Sequence, residues 1–364
     1  MNYNSQELMY VVCDLGGFSP YFTHFFAIFA LIVLGDFCQK RRFLMFKFIL
    51  KEDFTMKKNL LALLLAVGMI FTITACGNDT GNGSANVTET TTSVTDRQGK
   101  EIQIPETVNK IISTSPSNTE ILVGLGLKDK IIAADAYSAD AGIDVKIATI
   151  DMQNINIEQL ISLAPDVIVL NGINESGNNP YAELEKAGTS VLYLPEATSF
   201  ADIKSDIKFL SDYTKTTEKG EEIISKMDKR ISEIKEIGDK ITDKKSVYFE
   251  ISSAPYCYTT GTNTFVNEML EIIGADNVFA DQKGWMPVNE ANVIEKNPDI
   301  ILTNVNFEGY DYKEILARNG WNATNAVKNG SVFQVDANST GRASQNAIDG
   351  LNAVAKAIYP DLYK

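Results

Sequence analysis

Side chains able to act as nucleophiles or metal ligands are few in this sequence. Its 364 residues include one His and four Cys. The histidine, His24, lies in a stretch that we expect to be absent from the working protein, and after residue 75 only Cys76 and Cys257 remain. A Ser-His or Cys-His catalytic pair, a His- or Cys-based metal site and an internal disulfide are therefore excluded. We expect no cofactor, no structural metal and, at Cys257, a buried or loop thiol.

Cys76 is placed for a different chemistry, lipidation. A short basic leader begins at Met56, residues 60–73 form an apolar core, and small residues precede the cysteine in Ile73-Thr74-Ala75-Cys76. This order is typical of a lipoprotein signal peptide at 56–75, although a buried helix with a chance cysteine is the alternative. Diacylglycerol on the thiol would supply two acyl chains, which suffice for stable anchoring. We therefore expect an extracytoplasmic protein, held at the outer face of the cell membrane by Cys76.

Residues 1–55 precede this signal, although a signal peptide should itself come first. Residues 21–34 are apolar enough to be a membrane segment. The codons of Lys51-Glu52-Asp53 can, however, spell a bacterial ribosome-binding sequence just before Met56. We therefore expect residues 1–55 to be translated upstream DNA.

The remaining chain begins with a polar tract and is acidic. Residues 76–93 are mostly Gly, Asn, Thr and Ser, which predicts a lipid-anchored flexible tether. Of 33 basic and 47 acidic residues, seven and five lie in 1–75, so residues 76–364 carry a formal charge of −16. That charge argues against a nucleic acid partner.

Strand and helix patterns alternate on both sides of one long helical pattern. We predict an α/β fold with an N-terminal lobe at 94–215, an interlobe helix at 216–244 and a C-terminal lobe at 245–364. Each lobe should hold a mostly parallel sheet flanked by helices. Apolar spacing predicts the helix over 217–242, with Gly238 as an earlier possible end. Residues 156–171, NIEQLISLAPDVIVLN, are echoed by residues 289–304, NEANVIEKNPDIILTN.

The first lobe opens with a hairpin pattern around Gln98-Gly99 and then a strand–helix turn. In that turn, Ser117 and Glu120 are spaced as a helix capping box. Ligands of paired α/β lobes bind between them, at the carboxyl ends of the strands. Loops at those ends hold aromatic, Met and amide side chains that could line a cleft, namely Tyr137, Met152, Asn171, Asn174, Tyr256, Tyr258, Trp285, Asn304, Asn306 and Phe307.

Five segments in order resemble a known family: VTDRQGKEIQIP, KIISTSPSNTEILVGLGL, NIEQLISLAPDVIVL, NPDIIL and AIYPDLYK. Over residues 94–364 the chain resembles substrate-binding proteins of bacterial ABC importers that have a rigid helical backbone. That group serves cobalamin, ferric siderophores and heme, and the cobalamin receptors look most similar. The resemblance implies two lobes joined by one long rigid helix, a small-molecule solute and no enzyme activity. It also implies a permease with its ATPase as partners, and a monomer.

The resemblance also assigns roles to particular residues. Ser115 lies in the first strand–helix turn, Tyr137 and Trp285 match aromatic residues of the pocket, and Arg342 matches an arginine that reaches the corrin side chains. The chain departs from the pattern where Met152 or its neighbour Asp151 replaces a tryptophan, and a tryptophan near Leu170 is missing. These departures leave open which solute is bound.

Two glutamates are candidates for docking to the permease. Glu158 matches a surface glutamate that contacts permease arginines in the family. Its counterpart in the second lobe should fall at Ala291, and Glu290 is adjacent. The alternative is that each glutamate only favours the N-terminus of its helix.

A corrinoid, cobalamin or a precursor, is the leading solute because aromatic walls and hydrogen-bonding rims suit its apolar ring and amide edges. Anionic siderophores usually require several Arg or Lys, and the cleft loops offer little besides Arg342. Neutral ferric hydroxamates stay open, and heme would need Tyr256 or Tyr258 as its axial ligand. A cell-surface α/β enzyme and a sensor or adhesion lipoprotein are the alternatives from other classes.

Overall fold

The computed structural model describes residues 93–143, 148–172 and 181–364. The predictions for residues 1–92, Cys76 among them, and for Asn174 lie outside these ranges. Across the ranges described, no helix is both long enough and apolar enough to cross a membrane.

The N-terminal lobe is built on a parallel sheet. Its strands, in spatial order β5-β4-β3-β6-β7, are all parallel to their neighbours. In chain order the elements of this lobe are the hairpin β1 (Ser93–Thr95) and β2 (Glu101–Gln103), β3 (Ile111–Ser113), α1 (Pro116–Gly124), β4 (Ile131–Asp135), β5 (Ala148–Ile150), α2 (Ile157–Ser162), β6 (Val167–Asn171), α3 (Ala182–Lys186), β7 (Ser190–Leu194) and α4 (Phe200–Tyr213).

The sheet is covered on both faces, as the alternation along β6 shows. Val167 and Val169 belong to one apolar cluster, whereas Ile168 and Leu170 belong to another on the opposite face. Such continuous apolar strands are typical of parallel sheets that helices cover on both sides. The predicted α/β lobe is therefore confirmed.

The C-terminal lobe repeats this plan with a smaller parallel sheet, in the order β10-β8-β12-β13, and an antiparallel ribbon of β9 and β11. Its elements in chain order are β8 (Ser246–Glu250), β9 (Tyr258–Thr260), α6 (Phe265–Ile273), β10 (Asp276–Asn277), β11 (Trp285–Pro287), α7 (Glu290–Lys296), β12 (Ile300–Thr303), α8 (Glu314–Ala317), α9 (Asn325–Asn329), β13 (Val332–Gln334), α10 (Ala337–Gly341) and α11 (Ala347–Ile358).

One long helix, α5 (Thr217–Gly238), connects the lobes and packs against helices of both: α4 on one side, α6 and α11 on the other. One continuous apolar cluster includes residues of both sheets and of these helices. Because interiors are close-packed, a core shared by both lobes resists their separation on this side. The two lobes and the long helix that joins them agree with the predicted fold class.

The end of α5 differs from the wider pattern at 217–242, because the helix stops at Gly238. There its backbone closely approaches the end of α6. A Cβ added to Gly238 would clash with the carbonyl oxygen of Ile272, and Gly274, with φ +84°, would clash in turn with Gly238. The two glycines therefore permit a contact that side chains would prevent.

The predicted capping box at Ser117 and Glu120 is wrong. Helix α1 begins two residues earlier, with Ser115 as N-cap and Pro116 as the first helical residue. The Ser115 hydroxyl accepts a hydrogen bond from the backbone N–H of Asn118 at 3.3 Å. Glu120 is thereby released from a capping role, and its buried carboxylate faces the other lobe.

Candidate ligand-binding cleft

A cavity of about 300 Å³ lies between the two lobes at the carboxyl ends of their strands. From the first lobe it is lined by Ser117, Asn118, Asn171, Leu194, Pro195, Glu196, Ala197 and Asp206, and from the second by Ile251, Phe265, Trp285, Asn304, Thr340, Gly341 and Ala343. Three residues that the sequence singled out, Asn171, Trp285 and Asn304, are thus brought together. We call this space the interlobe cavity.

A shallower pocket of about 550 Å³ adjoins it, since Gly341 lines both. Tyr137 and Arg342, both predicted site residues, line this mouth pocket, and so does Asn306. The interlobe cavity alone is at the lower end of the size range for small-molecule sites, which runs from roughly 300 to 1,000 Å³. A large solute must therefore extend through the mouth.

Of the large apolar side chains predicted at the cleft, Trp285 lines the interlobe cavity and Tyr137 lines the mouth pocket, whereas Met152, Tyr256, Tyr258 and Phe307 line neither. Six predicted cleft residues are among the exposed large hydrophobic side chains of the described chain, namely Tyr137, Met152, Tyr256, Tyr258, Trp285 and Phe307. Tyr137 and Tyr256 are each 78% exposed. Four of the six lie on loops that follow the carboxyl ends of β4, β5, β8 and β12, and the other two lie on the β9–β11 ribbon. Exposed apolar groups in such a position are typical of binding surfaces.

Trp285 bridges the lobes. Its indole Nε1 donates a hydrogen bond to Glu196 Oε1 at 2.6 Å, and its ring meets Phe265 edge to face, with centroids 6.1 Å apart. Glu196 follows β7 in the first lobe, whereas Trp285 begins β11 in the second. The tryptophan therefore has a packed apolar edge and a polar atom fixed across the cleft.

Arg342 makes a second bridge. Its guanidinium donates to Glu120 Oε1 at 2.8 Å, to Asp140 Oδ1 at 2.7 Å and to the carbonyl oxygen of Tyr137 at 3.2 Å. Burial lowers the pKa of the Arg342 guanidinium, but the carboxylates of Glu120 and Asp140 raise it by more. The pKa therefore lies above its ordinary value. Its charge is thus balanced inside the protein, and contact between Arg342 and the solute stays a prediction.

Glu120 accepts hydrogen bonds from other residues besides Arg342. Asn346 donates to its Oε2 at 3.0 Å, and Ser344 donates to the same oxygen. The Glu120 carboxylate is buried, with its side chain 5% exposed. A buried carboxylate held by donors of the opposite lobe ties α1 to the segment that precedes α11.

Three other predicted site residues, Ser115, Asn171 and Asn304, lie at the start of a helix or at the carboxyl end of a strand. Ser115 is buried and caps α1, as described above. Asn304 is buried, and its Nδ2 donates to Thr340 Oγ1 at 3.2 Å. Asn171 ends β6 at the wall of the interlobe cavity. A contact between these residues and a solute stays a prediction.

Sequence reasoning missed most of the residues that line the interlobe cavity, among them Asn118, Glu196 and Asp206. Asp206 accepts from Arg97 Nε at 2.7 Å, and Arg97 also donates to the carbonyl oxygen of Pro195. Burial raises the pKa of Asp206 to about 6, although Arg97 opposes that rise. Asp206 was missed because helix α4, which carries it, was not predicted, although its N-cap Ser199 and its apolar spacing are signals that could have found it.

A buried ion pair supports the loop that carries Phe307. Arg318 Nη2 donates to Glu250 Oε1 at 3.0 Å, and the Tyr310 hydroxyl donates to the same oxygen at 3.2 Å. The Tyr310 ring packs against Phe307, with centroids 5.1 Å apart. Burial raises the pKa of Glu250, while Arg318 lowers it. Because both hydrogen bonds end on the Glu250 carboxylate, it anchors this loop.

Cys257, next to Tyr256 and Tyr258, is buried, as expected. Burial raises the pKa of its thiol to about 11. At neutral pH it is therefore a protonated, unreactive thiol.

The two candidate docking glutamates occupy similar helix starts. Glu158 is exposed in the first turn of α2, which Asn156 caps. Glu290 is the first residue of α7, and its Oε2 accepts a hydrogen bond from the indole Nε1 of Trp321 at 2.6 Å. Glu158 is therefore free to face a partner, whereas Glu290 already has an internal partner.

A family model described as periplasmic binding protein matches residues 111–339. The chain belongs to the periplasmic binding protein family. Members of this family bind solutes outside the cytoplasm in a transport role, which is not enzymatic. The cleft between the lobes is therefore the place where this member is expected to hold its solute.

Relatives in this family cover most of the chain. An uncharacterized ABC transporter substrate-binding lipoprotein, YvrC of Bacillus subtilis, is 33% identical over 313 residues, which are 83% of this chain and 97% of the relative. A vitamin B12-binding protein of Photorhabdus laumondii is 29% identical over 53% of this chain and 70% of its own. A solved structure from Staphylococcus epidermidis, titled a possible iron-binding periplasmic solute-binding protein, is 31% identical. It has a TM-score of 0.59 and covers 70% of this chain and 100% of its own.

Proposed function

We propose that this protein is the solute receptor of an ABC importer and that its solute is a corrinoid, either cobalamin or a precursor. The receptor role is supported by the similarity to a substrate-binding lipoprotein over 83% of this chain. The two-lobed fold around a cleft agrees with that role. The protein would bind the solute between its lobes and deliver it to a permease and its ATPase.

The corrinoid proposal is carried by one observation: large apolar side chains are exposed at the cleft, while the interlobe cavity has no basic side chain among its described lining residues. A corrin ring needs broad apolar surfaces and neutral hydrogen-bonding groups. Tyr137, Tyr256 and Trp285 would supply the first, and Asn171 and Asn304 the second. The similarity to a vitamin B12-binding protein also supports this choice.

A ferric hydroxamate is the second candidate solute. Such complexes are neutral, so they too would suit a cavity without basic groups, and a relative titled as possibly iron-binding is 31% identical. Tris-catecholate and citrate complexes are disfavoured because anions call for unpaired Arg or Lys, and Arg342 is already paired with two carboxylates.

Thermal unfolding in the presence of candidate solutes would distinguish these proposals. At one hundred times its Kd, a ligand stabilises the folded protein by about 2.7 kcal/mol. We expect cyanocobalamin or cobinamide to raise the midpoint by several degrees, and hemin and ferric citrate to leave it unchanged. A rise in the midpoint with a ferric hydroxamate alone would make that complex, and not a corrinoid, the solute. No rise with any solute would refute both candidate solutes.

Lipid anchoring through Cys76 is part of the proposal. The motif around Cys76 supports it, and the family's extracytoplasmic role is consistent with it. Labelled palmitate supplied to cells should be incorporated into the protein and lost in Cys76→Ser, while Cys257→Ser keeps the label. Incorporation in Cys76→Ser would contradict this anchor.

Docking to the permease is proposed for Glu158 first and Glu290 second. Exposure of Glu158 supports this order, because Glu290 is bonded to Trp321. Glu158→Arg should weaken binding to the permease and leave solute binding unchanged, whereas the neighbouring exposed change Gln159→Arg should do less. Equal effects of both changes on docking would argue against a specific role.

A further inference from the structure

One donor in the interlobe cavity lacks an acceptor. Asn118, in the first turn of α1, lines the cavity and is 3% exposed. Its amide Nδ2 is buried and has no hydrogen-bond partner among the described residues. Burial of an N–H group without an acceptor is unfavourable, and native proteins rarely leave one in that state. Because Asn118 belongs to the lining of the cavity where a solute would bind, an acceptor on the solute is the partner that we infer for this donor.

The opposite requirement comes from an acidic group in the same cavity, Glu196, since the other acidic residue of the lining, Asp206, is already paired with Arg97. Glu196 accepts one hydrogen bond, from Trp285, although a carboxylate has about four acceptor positions. The described lining of the cavity includes no Lys, Arg or His, and the guanidinium of Arg342 is bonded to Glu120 and Asp140. An anionic group placed here would face the negative charge of the Glu196 carboxylate.

We propose that the interlobe cavity is a subsite for an uncharged amide arm of the solute. A primary amide offers a carbonyl oxygen to Asn118 Nδ2 and N–H groups to Glu196, so it meets both requirements at once. A carboxylate arm would satisfy Asn118 but would be repelled by Glu196. This inference rests on the proposed function, in which the solute ring lies against the exposed aromatic side chains outside the cavity.

The size of the cavity agrees with an arrangement in which an arm of the solute lies inside the cavity and the ring lies outside it. About 300 Å³ accommodates a side arm of the solute, and a macrocycle would need the mouth pocket as well. The subsite therefore selects the functional group at the end of an arm, while the exposed aromatic residues select the ring.

The inference can be tested with cyanocobalamin and its monocarboxylates, in each of which one propionamide arm is hydrolysed to a carboxylate. Calorimetric titration of the purified protein should show at least one monocarboxylate binding about tenfold or more weakly than cyanocobalamin. Asn118→Asp, which replaces the donor with an acceptor of the same size, should weaken cyanocobalamin binding at least about tenfold. Asn322→Asp, at an exposed position of the second lobe, is the matched control and should leave binding unchanged.

A second variant should strengthen binding of a monocarboxylate and not weaken it, and the residue that it changes is not buried. Glu196→Gln keeps an acceptor for Trp285 but removes the charge, so it should improve binding of the disfavoured monocarboxylate and reduce the preference for the amide. A loss of folding cannot produce such a gain, and thermal unfolding of each variant would verify that it folds.

Three results would overturn the inference. Equal affinity of the wild-type protein for cyanocobalamin and all its monocarboxylates, or unchanged affinity in Asn118→Asp, would remove the amide subsite but leave the corrinoid receptor intact. An absence of binding to any corrinoid would overturn the proposed function together with this inference.

Discussion

Replacing Arg318 with Met removes one half of the buried ion pair that anchors the Phe307 loop. The Arg318 side chain is 8% exposed and its partner Glu250 is fully buried. Arg318 also lies over the ring of Trp321, 4.9 Å from the centroid. The change therefore leaves a buried carboxylate with the Tyr310 hydroxyl as its remaining neutral donor.

Breaking a buried ion pair by removing one partner costs about 3–5 kcal/mol, because the other charge stays buried and unpaired. Loss of the cation–π contact adds about 1 kcal/mol, whereas the hydrogen bond from Tyr310 is already present in the wild-type protein and offsets nothing. We therefore expect the free energy of unfolding to fall by about 4–6 kcal/mol in Arg318→Met. The double variant with Glu250→Gln should recover most of this loss, because no charge remains buried.

The loss should also depend on pH. Burial already raises the pKa of Glu250, and Arg318 is the main group that lowers it, so the pKa rises further in Arg318→Met. A carboxyl group whose folded pKa lies above its unfolded value contributes stability that is present at low pH and lost as pH rises through the folded pKa. The variant should therefore be closer to wild-type stability at about pH 5 than at about pH 8.

Urea unfolding at both pH values measures these differences, provided that the m-value is unchanged. Lys186→Met is the matched control, because it breaks an exposed pair with Glu183 and should cost less than about 1 kcal/mol. A loss below about 1 kcal/mol in Arg318→Met, or an equal loss at both pH values, would refute the reasoning.

Three further changes test other parts of the structure. Burial raises the pKa of Asp206 from 3.8 to about 6, so the free energy of unfolding should fall by up to about 3 kcal/mol as pH rises from about 4 to 6, and Asp206→Asn should remove that slope in urea unfolding. Trp285→Phe loses the hydrogen bond to Glu196 across the cleft and should lower the free energy of unfolding by about 1 kcal/mol; no change in chemical denaturation would mean that this bridge is not formed in solution. Gly238→Ala places a methyl group against the carbonyl oxygen of Ile272 and should destabilise the protein by about 1–3 kcal/mol, whereas a gain in thermal midpoint would show that α5 and α6 do not approach closely there.

Local patterns were sufficient to predict the architecture. Apolar runs between turn residues form strands, as at Ser190–Leu194 and Ile300–Thr303. Helix α4 was missed although its signal is present: Ser199 caps it, and Ile203, Ile207 and Leu210 recur at helical spacing and are buried.

The candidate site was harder to predict from the sequence, because the residues that bond to one another there are far apart along the chain. Arg342 and Glu120 are separated by 222 residues, and Trp285 and Glu196 by 89. Aromatic residues in loops could be predicted as cleft residues from their type and position alone. The carboxylates that neutralise Arg342, and the unpaired amide of Asn118, depend on how the two lobes meet.

The central claim, that a corrinoid binds between the lobes, is tested most directly by calorimetric titration of cyanocobalamin into the purified protein. We predict one saturable site per chain and a negative heat capacity change, because the apolar side chains exposed at the cleft become buried. No saturable heat at any temperature with cyanocobalamin, combined with saturable binding of a ferric hydroxamate, would contradict it.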